Sequence, residues 1–136
     1  MAHDTQRPLI VGMNTVEPGE AARIFAPLVG LDPERNATAE GIANAGPTFR
    51  IETEDGNAVF TLSAKAGFCW VHAAKGAGKG MTEVGLNVIE QIARQAGCHA
   101  VGFQTLRRGL VRKAQRLGYH VAGQINKGHI LEKRFQ

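Results

Sequence analysis

The sequence predicts an α/β fold in which a mixed, mainly antiparallel sheet is flanked by helices. Three observations carry that expectation. The 136 residues and their 43% apolar content suit one packed domain spanning 1–136. The hydrophobic period switches along the chain between helical spacing and strict alternation. Glycine and proline punctuate most of the switches, as turns and caps require.

The elements follow in order. Residues 9 to 13 form a short apolar run after Pro8 and read as a buried strand. A helix is expected from Glu17-Pro18, because proline fits the first helical turn and Ala22, Phe25, Ala26 and Val29 recur at helical spacing up to Gly30. Asp32-Pro33-Glu34 opens a second, weaker helix that runs through Ala43 and gives out before Gly46-Pro47. From Phe49 the period becomes two: Phe49, Ile51 and Thr53 alternate with Arg50, Glu52 and Glu54. Asp55-Gly56 then supplies a hairpin turn into a strand over 57–65, and a break at Ala66-Gly67 leads to another over 68–74. Together these make a three-strand meander. Val84, Val88, Ile89, Ile92 and Ala93 mark a helix capped by Gly97. A strand over 99–105, a basic helix over 106–117 stopped by Gly118, and a strand pair over 119–123 and 129–135 complete the order β-α-α-β-β-β-α-β-α-β-β. The last pair turns at Asn126-Lys127-Gly128.

Composition narrows the class. No apolar run is long enough to span a bilayer, and the first residues lack the basic and apolar segments of an export signal, so a soluble, cytoplasmic protein without a membrane partner is expected. Cys69 and Cys98 lie far apart in apolar contexts, as buried thiols of a reducing compartment do. The five histidines keep none of the usual metal-ligand spacings, and no metal is expected. A net charge of +4 suits an anionic partner, with a phosphorylated cofactor, nucleic acid and plain solubility all open. Nucleic acid is the least expected, because no recognised binding module is present.

Residues 73–82 read AAKGAGKGMT and lead into a helix. Such a loop offers free backbone N–H groups at a helix N-terminus, where the dipole also favours negative charge, and Lys75 and Lys79 add cations. Phosphate is its natural guest; a bare glycine-rich turn is the alternative. The P-loop frame G-x-x-x-x-G-K-[ST] fails, since Ala73 stands at its first glycine and Gly80 at its hydroxyl. The dinucleotide frame GxGxxG fails because Gly76, Gly78 and Gly80 alternate strictly after a meander.

The spacing Lys75-x-x-Gly78-x-Gly80 resembles the pyrophosphate loop of the GNAT N-acetyltransferases, Arg/Gln-x-x-Gly-x-Gly/Ala, with lysine in first place. That family's loop joins its fourth strand to its third helix, as here, and the likeness of element order covers nearly the whole chain. The resemblance implies acetyl-CoA as cofactor, held by Lys75, Gly76, Ala77, Gly78, Lys79 and Gly80. It also implies a fourth strand splayed from the fifth, with backbone groups of Trp70, Val71 and His72 holding the pantetheine arm, and an amine as acyl acceptor.

The resemblance is incomplete where chemistry would occur. The family's fourth-helix pattern, roughly N-x-x-A-x-x-x-Y-x-x-x-G-F, aligned on Gly118-Tyr119 places Arg107, Leu110 and Ala114 at its Asn, Ala and Tyr positions. The usual proton donor is therefore replaced by Ala114, and Tyr119 reads as core. The base falls to His72, with Glu52 and Glu54 as alternatives. On the same helix, Arg108, Arg112 and Arg116 recur at i, i+4 and i+8, so mutual repulsion favours an anionic contact, the CoA 3′-phosphate, nucleic acid or an acidic partner surface, with a plain solvated helix face as the alternative. Two functions are thus expected in parallel. One is an acyl-CoA-dependent N-acyltransferase; the other is a non-catalytic GNAT-like building block without cofactor, similar over 103–118 to small tailed-phage virion proteins, which would contact copies of itself or neighbouring virion proteins.

Overall fold

The structure, a computed structural model, describes residues 10–27, 38–126 and 128–135. Its elements are β1 (Ile10–Val16), α1 (Pro18–Phe25), α2 (Ala39–Ala43), β2 (Thr48–Thr53), β3 (Asn57–Lys65), β4 (Phe68–Ala77), α3 (Met81–Gln95), β5 (Ala100–Thr105), α4 (Arg108–Arg116), β6 (His120–Ile125) and β7 (Gly128–Arg134). The strands form one sheet in the order β1-β2-β3-β4-β5-β7-β6. Every neighbouring pair is antiparallel except β4 and β5. The expected mixed, mainly antiparallel sheet is present.

Period-two alternation divides the sheet's residues between two cores. Ile51, Phe60, Leu62, Cys69, Val71, Val101, Phe103 and Leu131 pack beneath α3 and α4. On the other face Val59 packs with Ala21 and Phe25 of α1 and Ala43 of α2. Thr48 and Thr61, both buried, share a hydrogen bond of 2.6 Å across β2 and β3, which satisfies two hydroxyls that would otherwise be stranded.

The turns and caps have the chemistry their residues allow. Ala66 and Gly67 both take positive φ between β3 and β4, as a tight hairpin needs. Gly97 and Gly118, with φ of +82° and +97°, end α3 and α4. In each the next amide reaches back across the turn, Cys98 N–H to Ala93 O and Tyr119 N–H to Ala114 O.

Three expectations change, and a further one falls outside the described residues. The first strand runs to Val16 and lies at the sheet's edge, so Ile10, Val11 and Met13 are exposed rather than buried. Val29, Gly30 and the helix start at Asp32-Pro33-Glu34 lie outside the described residues. The helix ending at Ala43 starts only at Ala39, because Thr38 is extended and its Oγ1 accepts the Gly41 N–H. Finally, β4 continues to Ala77 where a loop was expected from residue 73, since residues 73–77 pair with 57–61 of β3.

Candidate functional site

Strands β4 and β5 pair through Phe68–Ala100, Cys69–Val101 and Trp70–Gly102 and then part. Beyond those pairs both strands continue, β4 to Ala77 and β5 to Thr105, with no ladder between them. The break coincides with a bulge in β4: Leu62 faces Val71 and Thr61 faces Ala73, leaving His72 as the extra residue. A bulge bends and twists its strand, which swings the rest of β4 away from β5.

The wedge between them is a cleft of about 410 Å³. Its walls are β4 from Val71 to Ala77 with the adjoining Gly78, α3 through Met81, Thr82, Gly85, Leu86 and Ile89, and the end of β5 with the start of α4. Ile42 of α2 also lines it. Gly85 is buried, yet a Cβ built on it meets nothing within 4 Å, so its bare side opens onto empty cleft.

The lining is cationic. Lys75, Arg107 and Lys113 contribute to it, and among the described residues no aspartate or glutamate does. At one end stands the N-terminus of α3, whose N-cap Gly80 offers no side chain to its first free N–H groups. Positive side chains and uncapped amides together favour an anion. The glycines before α3 have packing duties as well. Gly78 has φ of +117°, and a Cβ on it would lie 2.6 Å from Gly56 Cα and 2.7 Å from the Asp55 carbonyl oxygen. The loop therefore lies directly on the β2–β3 turn.

His72 lines the cleft, and its Nε2 shares a hydrogen bond of 2.7 Å with Ser63 Oγ. Burial pulls its pKa below the ordinary 6.5, so the ring is neutral at pH 7 and free to accept a proton. The alternative bases are elsewhere. Glu52 is exposed and lines a separate depression with Arg50, Asn57 and Lys75, and exposed Glu54 lies in the β2–β3 turn.

The other expected residues divide. Val71, Lys75, Gly76, Ala77 and Gly78 line the cleft, whereas Trp70, Lys79 and Gly80 are not among its lining residues. Trp70 occupies the last paired position before the split. Arg108, Arg112 and Arg116 are exposed and off the cleft; Arg107, Leu110 and Lys113 face it instead. Sequence reasoning missed these last cations as cleft residues, although a signal existed: they flank apolar Leu110 at i−3 and i+3, on the edge of the helix's buried stripe. Gly85 gave no such signal.

Ala114 is completely buried in the core. Tyr119, the chain's one tyrosine, is 3% exposed and donates its hydroxyl to Glu90 Oε2 at 3.1 Å. Burial and the Glu90 carboxylate push its pKa far above the normal phenol range. Lys133 Nζ donates to Glu90 Oε1 at 3.0 Å and to the Leu117 carbonyl at 2.9 Å, which closes a partly buried cluster tying α3 to β7. No phenol lines the cleft. Cys69, buried close to Cys98, is pushed up to about 11 by burial, and so stays a thiol.

No protein-family model matches the chain, and no curated protein matches it. Solved structures do. An N-acetyltransferase from Staphylococcus aureus Mu50 is 15% identical, with a TM-score of 0.58 over 93% of this chain and 97% of that one. A GNAT-family acetyltransferase from Streptococcus pneumoniae is 13% identical, with a TM-score of 0.57 over 92% and 99%. A Salmonella typhimurium protein solved with its cofactor acetyl-CoA is 12% identical, with a TM-score of 0.62 over 94% and 95%. The chain has the GNAT fold, that of the acyl-CoA N-acyltransferases. Among the described residues no helix is long and apolar enough to cross a membrane, and no group of three histidine, cysteine, aspartate or glutamate side chains forms a metal site.

Proposed function

We propose that the protein transfers an acyl group from acyl-CoA, acetyl-CoA in the simplest case, to an amine. The observation that carries this reading is the cleft itself: a wedge between two diverging parallel strands, lined by cations without carboxylates and ending at an uncapped helix N-terminus. These residues fit the group. The free edge of β4 from Val71 would hold the amide-bearing pantetheine arm. The amides at Gly78 and the start of α3, with Lys75, would hold the pyrophosphate, and Arg107 and Lys113 stand ready for a further phosphate.

When bound, acetyl-CoA supplies the thioester carbonyl: the amine nitrogen forms a bond to its carbon, and the carbon–sulfur bond breaks. His72 accepts the proton that the amine loses, since it is neutral and lines the cleft. Ser63 fixes the ring through Nε2. With Tyr119 engaged by Glu90, imidazolium His72 or water would supply the proton that the leaving thiol requires.

The missing phenol and carboxylate favour a second reading, a non-catalytic building block that leaves the cleft unused, in a virion or another assembly. In either reading the exposed Arg108, Arg112 and Arg116 remain available to an acidic partner surface. The two readings separate by assaying release of free CoA thiol across a panel of primary amines. Turnover by the native chain, cut about 100-fold or more in kcat/KM by His72→Gln, is expected of the enzyme. No thiol release with any amine would leave the building block.

A further inference from the structure

Phe68 and Trp70 stand two apart on β4, so their rings leave the sheet on the face opposite Cys69 and Val71, which belong to the core under α3 and α4. The rings stack at a centroid distance of 6.2 Å and an angle of 29°. Both lie across β5 at Gly102. A Cβ there would sit 2.6 Å from Phe68 Cζ and 3.1 Å from Trp70 Cζ3, so only glycine lets both rings lie flat on that strand. Gly102 is buried beneath them while the two rings keep part of their surface exposed, and neither joins the core under α1 and α2. Two large apolar rings laid on a glycine floor and left partly open to solvent do little for either core.

Neither ring lines the cleft, but Trp70 is linked through its strand partner to His72, which does. Ser63 is the direct cross-strand partner of Trp70, and the same Ser63 holds His72. Trp70 and His72 are two residues apart on one strand, roughly 6 to 7 Å along it. An amine presented to His72 would therefore have its body over the Phe68–Trp70 rings if a short tether joined the two.

We infer that the Phe68–Trp70 pair on its Gly102 floor is the acceptor platform, selecting amines that carry a flat aromatic ring one short tether from the nitrogen. This rests on the acyl-transfer reading and names its acceptor class. Ring-on-ring contact in offset or edge-on geometry supplies the selectivity, because an alkyl chain of the same length lacks the complementary π-face.

Trp70 is the chain's one tryptophan, so its fluorescence reports the platform directly. Titration with phenethylamine is expected to change the emission saturably, with a Kd about tenfold below that of butylamine. Phe68→Leu, which keeps the fluorophore, should erase that advantage. An equal response to both amines, no response, or an advantage that survives Phe68→Leu overturns the platform, even where calorimetry shows that acetyl-CoA binds. Should phenethylamine win on the native chain while acetyl-CoA fails to bind, the aromatic site stands and the acyl-transfer role for it falls.

Discussion

His72 is placed by a single extra residue. Without the bulge opposite Leu62 and Thr61, strict alternation would continue through β4 and the strand would keep its pairing direction. Because burial lowers the histidine's pKa, its neutral form persists below the ordinary 6.5. Activity that uses this base is expected to fall as pH drops through that lowered value, so kcat/KM for a weakly basic acceptor should show an ascending limb centred below 6.5, absent in His72→Gln. A limb centred well above 6.5 on such an acceptor would assign the base elsewhere. The same shift acts on stability with the same sign. The unfolded chain binds the proton more readily, so the neutral ring's contribution is full above 6.5 and is lost as pH falls from there through the folded-state value.

A different residue-scale test concerns the Glu90 cluster. Lys133→Met removes the cation from a carboxylate 11% exposed and leaves Tyr119 as its remaining described partner. The expected loss is about 2 kcal/mol in urea unfolding, below the range for fully buried pairs because Lys133 itself keeps 27% exposure. Tyr119→Phe should cost about 1 kcal/mol and leave thiol release intact. A loss of turnover in a Tyr119→Phe chain of native stability would return that phenol to the chemistry.

At the scale of elements, Gly78 and the Asp55-Gly56 turn are built against each other. A Cβ on Gly56 would in turn meet the Ala77 carbonyl and Met81 Cγ. Gly78→Ala is therefore expected to destabilise the chain by about 2 kcal/mol or more, measured as a lower urea midpoint at unchanged m. A midpoint within experimental error of the native one would mean that the loop stands off the hairpin. This duty also explains what the sequence could and could not disclose. Asp55-Gly56, Ala66-Gly67, Gly97 and Gly118 were legible because each position needs the backbone freedom or turn chemistry that its residue type supplies. The reach of β4 was not legible, since Lys75-Gly76-Ala77 has weak strand propensity and is held by pairing with Asn57, Ala58 and Val59 far along the chain. Exposure of β1 was equally hidden: Ile10, Val11 and Met13 look like core until the strand order puts them at an edge. On α4 the arginine spacing was plain, but which face met the cleft depended on how the helix packs.

At the scale of the molecule, one crossover decides the site. The chain pairs β3 with β4 along β4's whole length but pairs β4 with β5 for only its first residues, so the sheet splits from that point. Helices α3 and α4 then stand on either side of the split and supply uncapped amides, Arg107 and Lys113. The expectation of an anion at the glycine loop rested on local sequence alone. The cleft beside the loop was reachable only through family resemblance, because a splay is a relation between strands that no local pattern encodes.

Calorimetric titration of acetyl-CoA into the native chain and into Gly85→Phe tests this most directly. Gly85 faces open cleft, and phenylalanine is the better helix former, so the variant should keep or slightly raise its Tm while filling the cavity. The native chain is expected to bind with a Kd in the micromolar range, and the folded variant at least about tenfold more weakly. No binding by the native chain at millimolar ligand, or equal affinity in both, would contradict a cofactor site between β4 and β5.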